Sequence, residues 1–178
     1  MKKTHILSVL VENKPGVLAR ISGLFARRDF NIDSLAVGET EDPRVSRMTI
    51  VVSVEGKPLD QVTKQLDKLI DVLKIQELEH SDAIERELAL IKVAAEAGKR
   101  AEVLEIVEIF RAKISDVDAG AITIEATGGP DKIAALEELL TPYGIVELVR
   151  TGRIALGRGA GGLKPPVLKP VPLESHAV

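Results

Sequence analysis

The apolar residues of this chain change their spacing in a fixed order, and repeat that order about 80 residues later. The recurrence restricts the fold more than any single motif, because a period of about two marks a strand and one of about 3.6 a helix. "THILSVLVE" (4–12) is apolar on both faces, with Leu7, Val9 and Val11 on one side and Ile6 and Leu10 on the other, as for a strand covered twice. From Pro15 the spacing turns helical through Val17, Leu18, Ile21, Leu24 and Phe25, and a proline suits a first helical turn. "FNIDSLAVGE" (30–39) and "VSRMTIVVSV" (45–54) read as strands around the Asp-Pro turn of "TEDPR". Leu59, Val62, Leu66, Leu69 and Ile70 mark a second helix opened by "KPLD", and "VLKIQEL" (72–78) alternates as a strand.

The second pass begins with the strand "ERELALIKVAA" (85–95) and a helix marked by Val103, Ile106, Val107 and Phe110. Residues 114–127 read as two strands around Asp118-Ala119-Gly120. A helix on Ile133, Leu136, Leu139 and Leu140 follows "GGPDK", and "GIVELVRTG" (144–152) closes as a strand. The expected fold is α+β: two tandem ferredoxin-like βαββαβ domains, each an antiparallel four-stranded sheet with two helices on one face. The expected domains are 4–79 and 84–152, parted at the polar "HSDAIE" (80–85), with 153–178 as a flexible Gly- and Pro-rich tail. In this plan the first and third strands are central. The second lies at an edge, where it can pair with another chain.

Composition narrows the function. Apolar content of 45% with 29% charged residues is that of a soluble globular chain, and no apolar run approaches membrane-spanning length. The amino terminus lacks a signal-peptide pattern, so the expected location is cytoplasmic. A net charge of −3 with interspersed signs, and only 2% aromatic residues, argue against a nucleic-acid surface. There is no cysteine, and His5, His80 and His176 lack metal-ligand spacing, so neither a catalytic nor a metal site is expected. "GRGAGG" (157–162) has the glycine spacing of a dinucleotide fingerprint, but the prolines of "LKPPVLKP" forbid the helix it should open.

"ENKPG" (12–16) is the segment with chemistry to offer. A helix starting near Pro15 leaves amide donors unpaired at its positive end, which suits a carboxylate. Gly16 lets a ligand approach the backbone, and Asn13 has both a donor and an acceptor for an amino acid's two polar ends. Alternatively, Asn13 caps the helix and Gly16 relieves crowding. Asn31, one residue into the second strand, is either part of such a site or a turn residue of "RRDFN". The hairpin "EDPRVSRM" (41–48) carries Arg44 and Arg47, either as contacts for acidic groups of a partner or as a solvated turn.

"ILSVLVENKPGVLARISGLFARRDFNIDSL" followed by "DPRVSRMTI" closely resembles the regulatory small subunits of acetohydroxyacid synthase, also called acetolactate synthase. The similarity continues through "QLDKLIDVLKI", "EREL", "EIFRAKISDV" and "ALGRG", spanning residues 4–159, and the first half looks like an ACT domain, an amino-acid-sensing module. The tail "KPPVLKPVPLESHAV" has no counterpart in the resemblance.

The resemblance implies a subunit without catalysis of its own. Such a subunit binds and activates the catalytic large subunit, where thiamine diphosphate, magnesium and FAD are expected, and mediates feedback inhibition by valine. It implies a homodimer through the ACT domains with valine at their interface. By matching positions, Asn13 and Gly16 meet valine from the first strand–helix loop and Asn31 meets it from the partner chain, with Val17 and Ile32 near the isopropyl group. Arg44 and Arg47 become candidates for the large subunit. The alternative is a free-standing ACT regulator of a different enzyme.

Overall fold

The computed structural model describes residues 3–54, 59–96 and 98–166. Its first half runs β1 (Lys3–Glu12), α1 (Val17–Arg27), β2 (Ile32–Glu39), β3 (Val45–Val54), α2 (Leu59–Leu66) and β4 (Val72–Leu78). The second runs β5 (Ala83–Ala94), α3 (Arg100–Ile109), β6 (Lys113–Val117), β7 (Ala121–Gly128), α4 (Pro130–Leu140) and β8 (Ile145–Arg150). The strand orders are β2-β3-β1-β4 and β6-β7-β5-β8, with the pairs antiparallel, so the expected tandem split-βαβ architecture holds. In both sheets the first and third strands of the unit are central and the second is an edge.

Local chemistry explains the helix ends. Pro130 opens α4 at a position whose N–H has no helical partner, behind Gly129. Gly16, at φ 82°, sits at the N-cap of α1, so Pro15 lies in the preceding turn and the helix opens at Val17 rather than near Pro15 as expected. Val17, Ile21, Leu24 and Phe25 of α1 pack with Val62 and Leu66 of α2 onto Leu7, Val9, Val11, Met48, Ile50 and Val52. Each such buried side chain stabilises the fold by about 1.5–3 kcal/mol. Three residues assigned to helical stripes lie outside the core: Leu18, Leu139 and Ile70 are exposed, Ile70 by 93%. Leu18 and Leu139 flank their stripes, whereas α2 ends at Leu66, so Ile70 falls in the turn before β4.

The main departure lies after Arg150. Residues 153–163, expected to belong to a flexible tail, carry a ninth strand, β9 (Ile154–Gly157), which pairs with Ala83–Arg86 at the start of β5. This ribbon lies on the face of the first sheet that the helices leave open. Ala83 and Ala155 are buried there against Ile6, Val51 and Leu78, and Leu163 is buried against Leu10 and Val45. The physical reason is the double-sided β1: Ile6 and Leu10 need cover, and a Gly-rich segment supplies it because small residues let the backbone come close. Ala155 N–H donates to Thr49 Oγ1 (3.3 Å), and the Arg47 guanidinium donates to Ser8 Oγ (2.9 Å) and the Leu163 carbonyl (3.0 Å). The polar groups on that face are therefore paired as well as covered. The connection between the units is a single short turn, His80–Asp82, and β5 opens at Ala83. The remainder of the expected tail, 167–178 with His176, lies outside the described residues, as do Lys57 and Pro58 of "KPLD".

The β2–β3 turn is held by its own charges. Arg44 Nε and Nη2 donate to the Asp42 carboxylate (2.9 and 2.6 Å), and the Arg44 amide donates to the same group (3.0 Å). These bonds hold the Asp42 carboxyl down at about 2 from an ordinary 3.8. A carboxyl depressed on folding contributes stability above its unfolded value and loses it as pH falls through its folded one. A carboxyl-detected NMR titration should therefore find the Asp42 midpoint near 2, and Arg44→Ala should return it toward 3.8.

The covering ribbon has a sharper consequence. Ala155 is 3% exposed and its neighbour Ile154 is 58% exposed. Ala155→Asp should lower the unfolding free energy by about 2–4 kcal/mol, because the carboxylate enters an apolar contact without a partner. Ile154→Asp should stay within about 0.5 kcal/mol of the parent in the same urea titration.

Candidate functional site

The loop between β1 and α1 is built to leave a backbone surface open. Gly16 adopts the left-handed conformation, and nothing lies within 4 Å of where its Cβ would be. Helical bonding back to this loop begins with Arg20 N–H to the Gly16 carbonyl (3.0 Å), so the amides ahead of Arg20 precede the helical ladder. Lys14 pairs with Glu12, whose hydrogen bond raises the pKa of the ammonium. Arg20 pairs with Asp71 (2.7 Å), which is buried just before β4. Both cations beside the loop therefore carry a carboxylate partner.

Asn13 does not cap α1. Its Nδ2 donates to Glu39 Oε1 at the end of β2 (3.0 Å) and to the Pro43 carbonyl (2.9 Å), and its backbone N–H donates to the Arg44 carbonyl (2.7 Å). The side chain is thereby fixed across the mouth of the β2–β3 hairpin. Of the residues assigned to the isopropyl group, Val17 is buried within the helix–sheet core, and Ile32 is half-buried against the same core.

Asn31 stands apart from these. It precedes β2, which begins at Ile32, and its Nδ2 donates to Asp33 Oδ1 (2.9 Å). Both β1 and β2 run antiparallel to β3, so they run parallel to one another. Asn13 follows the end of β1, beside Glu39 at the end of β2, whereas Asn31 lies before the start of β2. Seven steps of about 3.3 Å separate the two ends of that strand, roughly 23 Å. One chain therefore gathers Asn13 and Gly16 at one end of its edge strand and holds Asn31 at the other.

The two arginines part in role. Arg44 is exposed and clamped to Asp42, at the tip of the hairpin. Arg47 lies inside the chain's own contacts, tying Ser8 to the Leu163 carbonyl.

Sequence reasoning missed a polar seam between the halves. Arg153 N–H donates to Ser34 Oγ (2.8 Å) in β2. Glu85 in β5 faces His80 Nδ1 (2.6 Å) and Arg153 Nη1 (3.6 Å), and buried Glu87 pairs with Arg150. Ser34, Glu87, Arg150 and Arg153 line a cleft of about 450 Å³ with Thr4, Asp33, Ser53, Thr151 and Gly152. The available signal is Gly152 in "RTGR", a glycine at the end of the expected strand "GIVELVRTG" that adopts a positive φ.

Comparisons with known proteins match both halves. Residues 7–74 fit the AHAS small subunit-like ACT domain, and residues 86–159 fit the family model described as small subunit of acetolactate synthase. The acetolactate synthase small subunit of Mycolicibacterium smegmatis is 59% identical over 160 residues, 90% of this chain and 94% of that one. A probable acetolactate synthase small subunit of Archaeoglobus fulgidus is 54% identical, over 87% of this chain and 97% of that one. The crystal structure of the small subunit from Thermotoga maritima superposes with a TM-score of 0.82 at 42% identity, covering 88% of this chain and 98% of that one. On the match of both halves and on identity along most of its length, the chain belongs to the acetolactate synthase small-subunit family, and its first half is an ACT domain.

Proposed function

We propose that this chain is a non-catalytic regulatory subunit that binds the catalytic large subunit of acetohydroxyacid synthase, raises its activity and carries valine feedback to it. Family membership supports the large-subunit partner. In this reading the cofactors of the reaction, thiamine diphosphate, magnesium and FAD, belong to that partner, and the assembly works in the cytoplasm.

The observation that carries the valine reading is the separation of Asn13 and Gly16 from Asn31 along one exposed edge strand. Two β2 edges paired antiparallel about a twofold axis put the start of one strand beside the end of the other. Asn31 of one copy then comes next to Asn13 and Gly16 of its mate, and the dimer has two equivalent shared sites. With Nδ2 of Asn13 donating to Glu39 and Pro43, and Nδ2 of Asn31 donating to Asp33, each amide has its oxygen to offer an ammonium group. The amides opening α1 suit the carboxylate of the same ligand. An isopropyl group buried between the copies adds about 1.5–3 kcal/mol. Val17 opens α1 beside the site but turns its side chain into the core and its N–H toward the Lys14 carbonyl (3.5 Å), and Ile32 borders the site. Valine then inhibits by favouring the dimer geometry that supports the large subunit less well, because a ligand shifts an equilibrium only through differential affinity. Arg44, exposed at the hairpin tip, is the better placed of the two arginines to meet the large subunit.

Mixing the purified chain with the large subunit should raise acetolactate production, and valine should reverse the rise. A chain that leaves production unchanged would refute the reading. Gly16→Asp puts a carboxylate where the ligand's own belongs. Open space around the site, and a left-handed strain of only about 1–2 kcal/mol, let the variant fold. Calorimetry should find no heat with valine while the thermal melt stays cooperative. Asn31→Ala should weaken valine roughly tenfold, the value of one hydrogen bond to a charged group.

A further inference from the structure

The cleft between the halves is lined by Asp33, Ser34 and Leu35 of β2, and this stretch leads to Asn31 through consecutive residues. Gly152 has φ +82°, and a Cβ there would lie 2.9 Å from Ser34 Oγ and 3.0 Å from the Leu35 carbonyl oxygen. No L side chain fits such a position without moving β2. The next residue, Arg153, donates its N–H to Ser34 Oγ (2.8 Å). The β2–β3 ladder pairs Ile32 with Val52 and Ser34 with Val51, so Asp33 is the extra residue of a β-bulge between them. Asp33 Oδ1 in turn receives Asn31 Nδ2 (2.9 Å). A bulge re-aims the side chains beside it, and this one is pinned from behind by the second half of the chain.

We propose that Gly152 and Ser34 are positioning residues for Asn31. The turn after β8 seats the bulge at Asp33, and the bulge sets where Asn31 presents its amide. The proposal rests on the effector reading above for its ligand, and adds that valine affinity is set partly from the second unit. Linkage makes the effect reciprocal: if the seam favours the binding geometry, valine must tighten the seam. Arg153 and Ala155 report on that directly, because their N–H groups donate to Ser34 Oγ and Thr49 Oγ1 across it.

The test uses the full chain and three variants. Gly152→Ala drives a methyl group into β2, Ser34→Ala removes the acceptor without adding bulk, and Leu136→Ala loosens the second core away from the seam. In valine-free protein, the Asn31 side-chain amide signals should shift in the first two variants and hold still in the third. By calorimetry the first two should bind valine on the order of tenfold more weakly, a usual size for coupling between sites, and Leu136→Ala should bind as the parent does. In the parent, valine should slow hydrogen exchange at Arg153 and Ala155. Unmoved Asn31 signals in both seam variants overturn the proposal whatever valine does, and so does an equal loss of affinity in Leu136→Ala. A parent chain that gives no heat with valine overturns the effector reading instead, while the Asn31 signals still decide the positioning. Should Gly152→Ala fail to fold, Ser34→Ala decides alone.

Discussion

A central strand with two apolar faces governs this molecule. β1 carries Leu7, Val9 and Val11 toward the helices and Ile6 and Leu10 away from them, and all five are buried. Its own unit has helices enough to cover one side only. The other side is closed by the start of β5, by β9 and by Leu163, all contributed from beyond the connection at His80–Asp82. The hydrophobic requirement of one strand thus holds two units together, and the hydrogen bonds of Ser8, Arg47, Thr49 and Ala155 follow because polar groups under that cover need partners.

The candidate site inherits its form from that arrangement. Among the described residues β2 pairs with β3 alone, and the left-handed Gly16 leaves the mouth of α1 clear of side chains. Asn13 and Asn31 are each held by a carboxylate, Glu39 and Asp33, so both amides are ordered by the chain's own contacts. Pre-set polar groups on a rigid edge cost less entropy to engage than mobile ones.

Periodicity made most of the fold legible. The strand–helix order, the central position of β1 and the edge position of β2 follow from where the spacing switches. "ILSVLV" announced a strand covered twice, although it did not say by what. Legibility stopped where side chains stopped carrying the signal. β9 is four residues long and sits in a Gly-rich stretch, so its role is set by backbone pairing and close approach rather than by an apolar stripe. Arg47 looked like a surface charge, but the strand face it occupies is covered by a distant segment. The helix spacing ran past Leu66 because Leu69 and Ile70 keep the interval after the helix has ended. In the loop, the open backbone at Gly16 is legible in its chemistry. That Asn31 lies at the far end of the same edge followed only from the strand directions.

The continuity of β5 bears on how the molecule moves as a body. Its twelve residues pass from the ribbon on the first sheet into the middle of the second without a break, a rod of about 40 Å. A tether would let the halves tumble separately and dissipate any disturbance between them. A shared rod makes them one slab, so a tilt at one end arrives at the other as a swing whose reach grows with the length of the strand.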